Sequence, residues 1–252
     1  MISGAFGQLI PLQILAARRE NSGNVLTRSA NGKQKMTMPN GERSSESVHF
    51  GLLWSALAYF VWSGAFPTDR FNWLMETFPA IIGGTILIVT YRRHPLTTVS
   101  CALGWFFSLI LMTGGHYTYA DVPIGNWARD AFHLSRNHFD RLGHFFQGVI
   151  PAMVVRELLQ KTSPLRQSKW LFTLCTCVAL AISAAYELFE WRYAVTFGGQ
   201  RAADFLGSQG DPWDAQEDMF MALLGAVVSQ ILLSRLQDRQ MAALPQRTVQ
   251  KA

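Results

Sequence analysis

The sequence predicts an all-α, polytopic membrane protein of six transmembrane helices, and three observations carry that prediction. Of its 252 residues 49% are hydrophobic and only 15% charged, well under the roughly 25% charged residues of an average soluble domain. The apolar residues gather into six long runs, the pattern of membrane helices rather than of amphipathic soluble ones. The basic residues stand between those runs, where Lys and Arg act as topology signals. A formal charge of +5 therefore points to no nucleic acid partner, because the basic residues are not clustered with exposed aromatics on one face.

The runs occupy residues 48–66, 78–91, 98–115, 142–159, 169–186 and 219–236. A bilayer core takes about 20 helical residues, so the second run is short. Either Glu76 and Thr77 lie at the interface or the helix is thin and buried, and Pro79 is expected in a first helical turn, where its missing N–H leaves no bond unmade. Residues 1–47 are rich in Ser, Asn, Gly, Lys and Arg with little periodic apolar pattern, the composition of a disordered cytoplasmic tail. Met36 or Met38 is an alternative start. An early apolar stretch is broken by Gln8, Pro11 and Gln13 and its charges follow it, which is not the order of a signal peptide. The expected organisation is this tail, a six-helix membrane domain over 48–237, and a cytoplasmic C-terminal tail over 238–252. The three cysteines, Cys101, Cys175 and Cys177, lie inside apolar runs and read as packing residues.

Loop charges set the orientation. With both termini cytoplasmic, sixteen of the 22 basic residues fall in inside segments, and the outside segments keep Arg70, Arg129, Arg136, Arg141, Arg192 and Arg201 and hold no lysine. Each inside loop obeys the positive-inside bias separately. Twelve of the 17 acids fall outside by the same assignment, so the extracytoplasmic face is net acidic. No internal repeat relates the two halves, which weighs against an inverted-repeat transporter.

Three polar constellations border the last three runs on that acidic face. Asp140 and His144 enter the fourth run four residues apart, hence on one helix face, with Gln147, Gly148 and Pro151 following. Glu187 and Glu190 close the fifth run as neighbours, and two carboxylates this close to hydrocarbon repel unless a cation, a proton or an arginine lies between them. Asp211, Asp214, Glu217 and Asp218 lead into the sixth. Asp211 or Asp214 is a natural N-cap, but capping needs one or two acids, not four.

Two readings of these residues stand side by side. In the structural one, Arg141 or Arg192 pairs with the carboxylates in a closed salt-bridge network that anchors helix ends. In the functional one, His144, Glu187, Asp211, Asp214 and Asp218 hold a divalent ion such as Zn, Mg or Mn, with Asp140, Glu190 and His116 beside them. His144, Asp140, Glu187 and Asp214 would then perform the chemistry, His144 as general base. Tyr119, Asp121, Arg141 and Arg192 complete the expected pocket, the loop from Gly114 forming its rim. The spacing matches no diagnostic metal signature, so metal is inferred from donor chemistry. Without it, the same groups suit a proton relay or the binding of a cationic or phosphate-bearing lipid headgroup, the latter through Arg141, Arg192 or Arg129. His133 and His138 read as exposed loop residues.

Taken together, the run from Glu76 to Pro79, the segment Gly-Gly-His-Tyr-Thr-Tyr-Ala-Asp-Val-Pro from Gly114, the segment Arg-Asn-His-Phe-Asp-Arg-Leu-Gly-His-Phe-Phe-Gln-Gly from Arg136 and Gln-Gly-Asp-Pro-Trp-Asp-Ala-Gln from Gln209 resemble the YjdF family of bacterial inner-membrane proteins over about residues 50–236. That resemblance implies a multi-pass inner-membrane location and supplies no reaction. More distantly the chain is similar to VanZ-like membrane proteins, with Asp140, Arg141 and His144 opening one helix, Glu187 ending the next, and Asp214 with Asp218 opening the last. It differs from them in placing Glu190 beside Glu187 and in its Gly-Asp-Pro-Trp-Asp stretch. The expected function is binding of, or metal-assisted chemistry on, a cell-envelope lipid. The alternatives are an ion- or proton-coupled transporter and a non-catalytic membrane scaffold.

Overall fold

The computed structural model describes residues 25–28, 34–37 and 40–244. They fall into two units, the described residues up to 47 and Val48–Leu244. In the first, β1 (Val25–Arg28) and β2 (Gln34–Thr37) pair antiparallel, Val25 opposite Thr37 and Arg28 opposite Gln34. Helix α1 (Asn40–Ala65) begins ahead of the first apolar run. The remainder of the expected N-terminal tail, and residues 245–252 of the C-terminal one, lie outside the described residues.

Among the described residues five helices are long and apolar enough to cross a membrane: Ser45–Ala65 of α1, α2 (Arg70–Thr90), α3 (Thr98–Tyr117), α6 (Lys169–Phe197) and α8 (Asp214–Ala243). Between α3 and α6 lie the short helix α4 (Pro123–Ala131) and the 24-residue α5 (Phe139–Thr162), and the short α7 (Gly199–Leu206) precedes α8. Helix α5 has the length of a span, but Asp140, Arg141, His144, Arg156, Glu157 and Lys161 make it too polar to qualify by composition. Its position explains how that polarity is tolerated. It packs most extensively against α8, then α6, then α3, so Asp140, His144, Arg156 and Glu157 are all buried. Ionisable groups in membrane helices face the bundle interior in this way. The outer surface is apolar instead, with Val61 71%, Val89 73% and Leu232 69% exposed, a distribution that suits lipid and not water.

Residues without Cβ set the central contact. A Cβ at Gly148 of α5 would collide with the backbone carbonyl of Ala222 in α8, and one at Gly225 of α8 with the carbonyl of Phe145 in α5. Where lipid offers no hydrophobic drive between helices, such backbone approach is what holds them. Below it, Ala152, Ala179 and Ala226 pack together without any exposure. The outermost helix is held differently. Tyr59 meets the Thr113 hydroxyl at 2.8 Å, Trp105 donates its ring N–H to Ser55 at 2.9 Å and Trp73 donates to Ser63 at 3.1 Å.

Helix α2 starts earlier than its apolar run because the Asp69 carboxylate accepts from the N–H groups of Phe71 and Asn72. Glu76 and Thr77 are therefore buried, as in the second of the two expectations, within a helix of 21 residues. Pro79 is a helix-interior proline rather than a first-turn one. Like Pro151 in α5, it withholds the N–H that the carbonyl four residues earlier would normally accept.

At the end of the bundle formed by the start of α3 and the last turns of α5 and α8, Glu157 is completely buried. Its carboxylate accepts from the Thr97 N–H and hydroxyl, both at 2.8 Å, the Ser100 hydroxyl at 2.7 Å and the Lys161 ammonium at 2.6 Å. Beside it, Arg156 forks onto Asp238 at 2.7 and 2.9 Å and reaches Gln237 at 2.7 Å. Each of these charges has a partner, as burial demands.

The α5–α8 contact yields a direct prediction. Gly148→Ala forces the two backbones apart and lowers stability by about 1–3 kcal/mol, the usual cost of overpacking. Thermal unfolding in detergent reads the loss, and Gly104→Ala, where an added Cβ meets nothing within 4 Å, serves as the neutral control.

Candidate functional site

At the opposite end the start of α5, the end of α6 and the start of α8 come together, because successive long helices run antiparallel. Their polar residues form two tiers. The outer tier is fully ion-paired: Arg136 donates to Asp214 at 2.5 Å and to the Gly207 carbonyl at 2.8 Å, and Arg141 donates to Asp211 at 2.8 Å and also pairs with Glu217. The inner tier lies deeper. His144 Nε2 is 3.6 Å from Asp140, its Nδ1 is 3.4 Å from Glu187, and ligand atoms of Asp140, His144 and Asp218 all lie within 4.8 Å of one another. All four side chains are buried.

The backbone around the entrance is fixed by Asn137, which has no exposure. Its amide donates to the carbonyls of Ala120 and Val122 and to Asn126, and its oxygen accepts from the Phe139 N–H at 3.0 Å, closing the first turn of α5. Gly125 is required opposite, since a Cβ there would strike the Asn137 side chain. The segment between α7 and α8 is tied to the same residue, Gln209 accepting from the Asn137 N–H at 3.1 Å and donating to its carbonyl at 2.8 Å. Gly207, in the left-handed region at φ 63°, brings this strap over Asp140.

Electrostatics separate the tiers. In the outer one, burial opposes the charge of Arg136, yet its hydrogen bond to Asp214 and that carboxylate's charge raise its pKa above the ordinary arginine value. The Trp213 N–H, donated to Asp211 at 2.9 Å, and the guanidinium of Arg141 hold the Asp211 carboxyl below its usual range. Burial and the neighbouring Arg141 and Arg136 lower the pKa of His138. In the inner tier no lysine or arginine among the described residues lies within ion-pair distance of Asp140, Glu187 or Asp218. Asp218 Oδ1, Glu187 Oε1 and His144 Nδ1 are buried with no hydrogen-bond partner, the His144–Glu187 approach being short but misaligned.

Inward of this cluster is a cavity of about 150 Å³ among α2, α3, α5 and α6, bordered by Asp140 and His144 and by two further buried acids, Glu76 and Glu190. Tyr186 donates to Glu76 at 3.5 Å. Tyr119, packed over Gly143 and Gly114, supplies one wall.

Of the residues singled out from sequence, the structure brings together Asp140, His144, Glu187 and Asp218, with Glu190 and Tyr119 on the adjoining cavity. Asp211, Asp214 and Arg141 stand in the ion-paired tier above. The others are elsewhere: His116 donates to or accepts nothing from the acids but meets the Ser63 carbonyl at 2.8 Å and stacks on Trp62, Asp121 accepts from Thr118, and Arg192 is exposed. Neither Asp211 nor Asp214 caps α8 by side chain, because Asp211 closes a turn on Trp213 and Asp214 is drawn to Arg136. Two participants were not anticipated. Glu76 was legible only as an acid at the edge of an apolar run, and Arg136 was read as a topology charge.

These features define a multi-pass helical membrane protein with an acid-and-histidine cluster enclosed at one end of its bundle. Residues 48–239 match the family described as predicted membrane protein (DUF2238). Over 181 residues, 72% of this chain and 86% of the relative, the sequence is 50% identical to inner membrane protein YjdF of Escherichia coli strain K12. The chain belongs to this YjdF family and is a multi-pass inner-membrane protein. No solved structure matches it.

The depressed carboxyl of Asp211 gives a pH prediction. A group ionised more readily in the folded state stabilises fully above its unfolded pKa of about 3.9 and loses that contribution as pH falls through its lower folded value. The difference in melting temperature between wild type and Asp211→Asn is therefore constant from pH 7 to 5 and shrinks below pH 4. A difference that does not narrow in acid means that the Arg141–Asp211 contact does not fasten the strap.

Proposed function

We propose that Asp140, His144 and Asp218 form a divalent-cation site at the extracytoplasmic end of a six-span bundle, where the protein binds and acts on the headgroup of a phosphate-bearing envelope lipid. The observation that carries the reading is the inner tier itself: ligand atoms on two helices within 4.8 Å, all buried, with Asp218 Oδ1 left without a partner. Ligands at bonds of about 2 Å stand roughly 3–4 Å apart, so small side-chain movements close the set. Three protein ligands leave coordination positions open, the arrangement of catalytic rather than structural sites. His144 presents Nε2 on the Asp140 side, and Glu187 stands 3.4 Å from Nδ1, where a small rotation would align it as carboxylates align behind metal-bound histidines. Bound there, the ion would polarise a phosphate or ester oxygen and lower the pKa of a water. The Arg136 and Arg141 tier holds the strap and the start of α8 in place around the site.

This reading is favoured over the two others by specific contacts. A transporter needs a polar route through the bundle, yet the unexposed Ala152, Ala179 and Ala226 with buried Met153 fill the space between the two polar ends. A scaffold needs each acid already paired, whereas the arginines serve only the outer tier. The orientation follows from the loop charges, with α5 as the sixth span, enclosed by its neighbours.

Two measurements test the proposal. Metal analysis of protein purified in mild detergent yields about one divalent ion per chain, at least tenfold less in His144→Ala and Asp218→Asn, and roughly 10–100-fold weaker affinity in Glu187→Gln. Equal and negligible metal in wild type and His144→Ala ends the metal reading. Alkaline phosphatase fused after Gly210 is active and fused after Arg166 inactive. The reverse pattern places the site in the cytosol and removes an extracytoplasmic substrate.

A further inference from the structure

The cavity behind the cluster has a chemistry of its own. It is lined by Glu76 from α2, Glu190 from α6 and Gln147 from α5, together with the faces of Tyr119, Tyr186 and Phe107. Glu76 is 3% and Glu190 6% exposed, and no basic side chain lines the space except the His144 imidazole. The independent observation is Gln147: it is 9% exposed, borders the cavity, and its Oε1 has no hydrogen-bond partner. Pro79 and Pro151 also line the space, and neither has a backbone N–H to offer the acceptors there. A space walled by carboxylates, an orphan carbonyl oxygen and aromatic faces wants an occupant that is cationic and rich in N–H donors. An ammonium group satisfies all three, bonding the oxygens and resting against aromatic π-faces.

Size and position narrow the class. About 150 Å³ holds several water-sized groups but no acyl chain. Ile182 both lines the cavity and is 42% exposed on the apolar outer surface, so the wall toward the surrounding lipid is one side chain thick. Asp140 and His144 border the same space, which sets any ammonium held by Glu76 and Glu190 a few bonds from the proposed ion.

We infer that the cavity among α2, α3, α5 and α6 binds the primary ammonium of an aminoalkyl headgroup through Glu76, Glu190 and Gln147, so that the lipid acted on is an aminophospholipid. This rests on the reading of the site as one for envelope lipids but not on the presence of a metal. The ammonium sits between the two carboxylates, and the adjoining phosphate extends toward Asp140, His144 and Asp218.

The test uses the full chain in nanodiscs of equimolar phosphatidylethanolamine and phosphatidylglycerol, with EDTA present so that the metal plays no part. Native mass spectrometry of the released protein counts the lipid retained. Wild type keeps phosphatidylethanolamine over phosphatidylglycerol by about tenfold, roughly 1.4 kcal/mol, and Glu76→Gln with Glu190→Gln brings the ratio to near one. Gln147→Leu, which leaves every carboxylate in place, lowers the ratio severalfold and guards against a double variant that folds poorly. Millimolar ethanolamine displaces the retained lipid while glycerol does not; binding of ethanolamine alone to lipid-free protein, lost in the double variant, assigns the same ammonium site to a soluble amine. Equal retention of both lipids by wild type, or a preference unchanged in the double variant and in Gln147→Leu, overturns the proposal, the cavity then holding only water between neutral acids. Loss of metal in Asp218→Asn with the lipid preference intact separates the two readings, since it leaves the ammonium site standing.

Discussion

The approach of α5 to α8 at Gly148 and Gly225 is the constraint on which the rest of the structure depends. Two backbones that touch through missing side chains have little freedom to slide, and their relative register is thereby set. From that fixed point the same pair of helices carries Asp140 and His144 up to Asp218 at one end and Arg156 down to Gln237 and Asp238 at the other. A larger residue at either glycine would spread both polar ends at once. The alanine layer between them has the same logic, small side chains letting three helices meet with no space for water.

The two ends solve the problem of buried charge in opposite ways. Glu157 is saturated by donors from three elements, and Arg156 by two acceptors. Such closed networks hold helices in place and offer nothing to a ligand. At the other end the arginines are spent on the outer acids, and the inner acids and Gln147 keep unmatched atoms. Groups of this kind are costly inside a membrane protein, and their concentration beside a cavity is what supports the proposed binding site at this end rather than the other.

How much of this was legible from sequence depended on the range of the signal. Apolar runs and loop charges marked the helices because both are local, and Asp140 with His144 is a four-residue spacing visible without a fold. The helix ends were misjudged where polar residues continue a helix beyond its apolar part, as in α2, whose start is set by the Asp69 cap, and in α6, which runs to Phe197. The short helices α4 and α7 have no apolar run to betray them. Glu76 escaped notice because its companions, Glu190 and Tyr186, lie more than a hundred residues away, and nothing local separates a buried acid from an interfacial one. The Thr97–Ser100–Glu157 network was invisible for the same reason, its members being ordinary as single residues.

That network also dictates an order of assembly. The backbone N–H of Thr97 and the hydroxyl of Ser100 find their acceptor in a residue about 60 positions downstream, and the Gln237 amide that joins them at 3.0 Å from Ser100 arrives some 80 positions later still. During synthesis the first turn of α3 therefore stays unsealed until α5 emerges, and α8 completes the seal. A ribosome stalled before α8 would leave a chain that is inserted but unfinished, a ready substrate for membrane quality-control proteases.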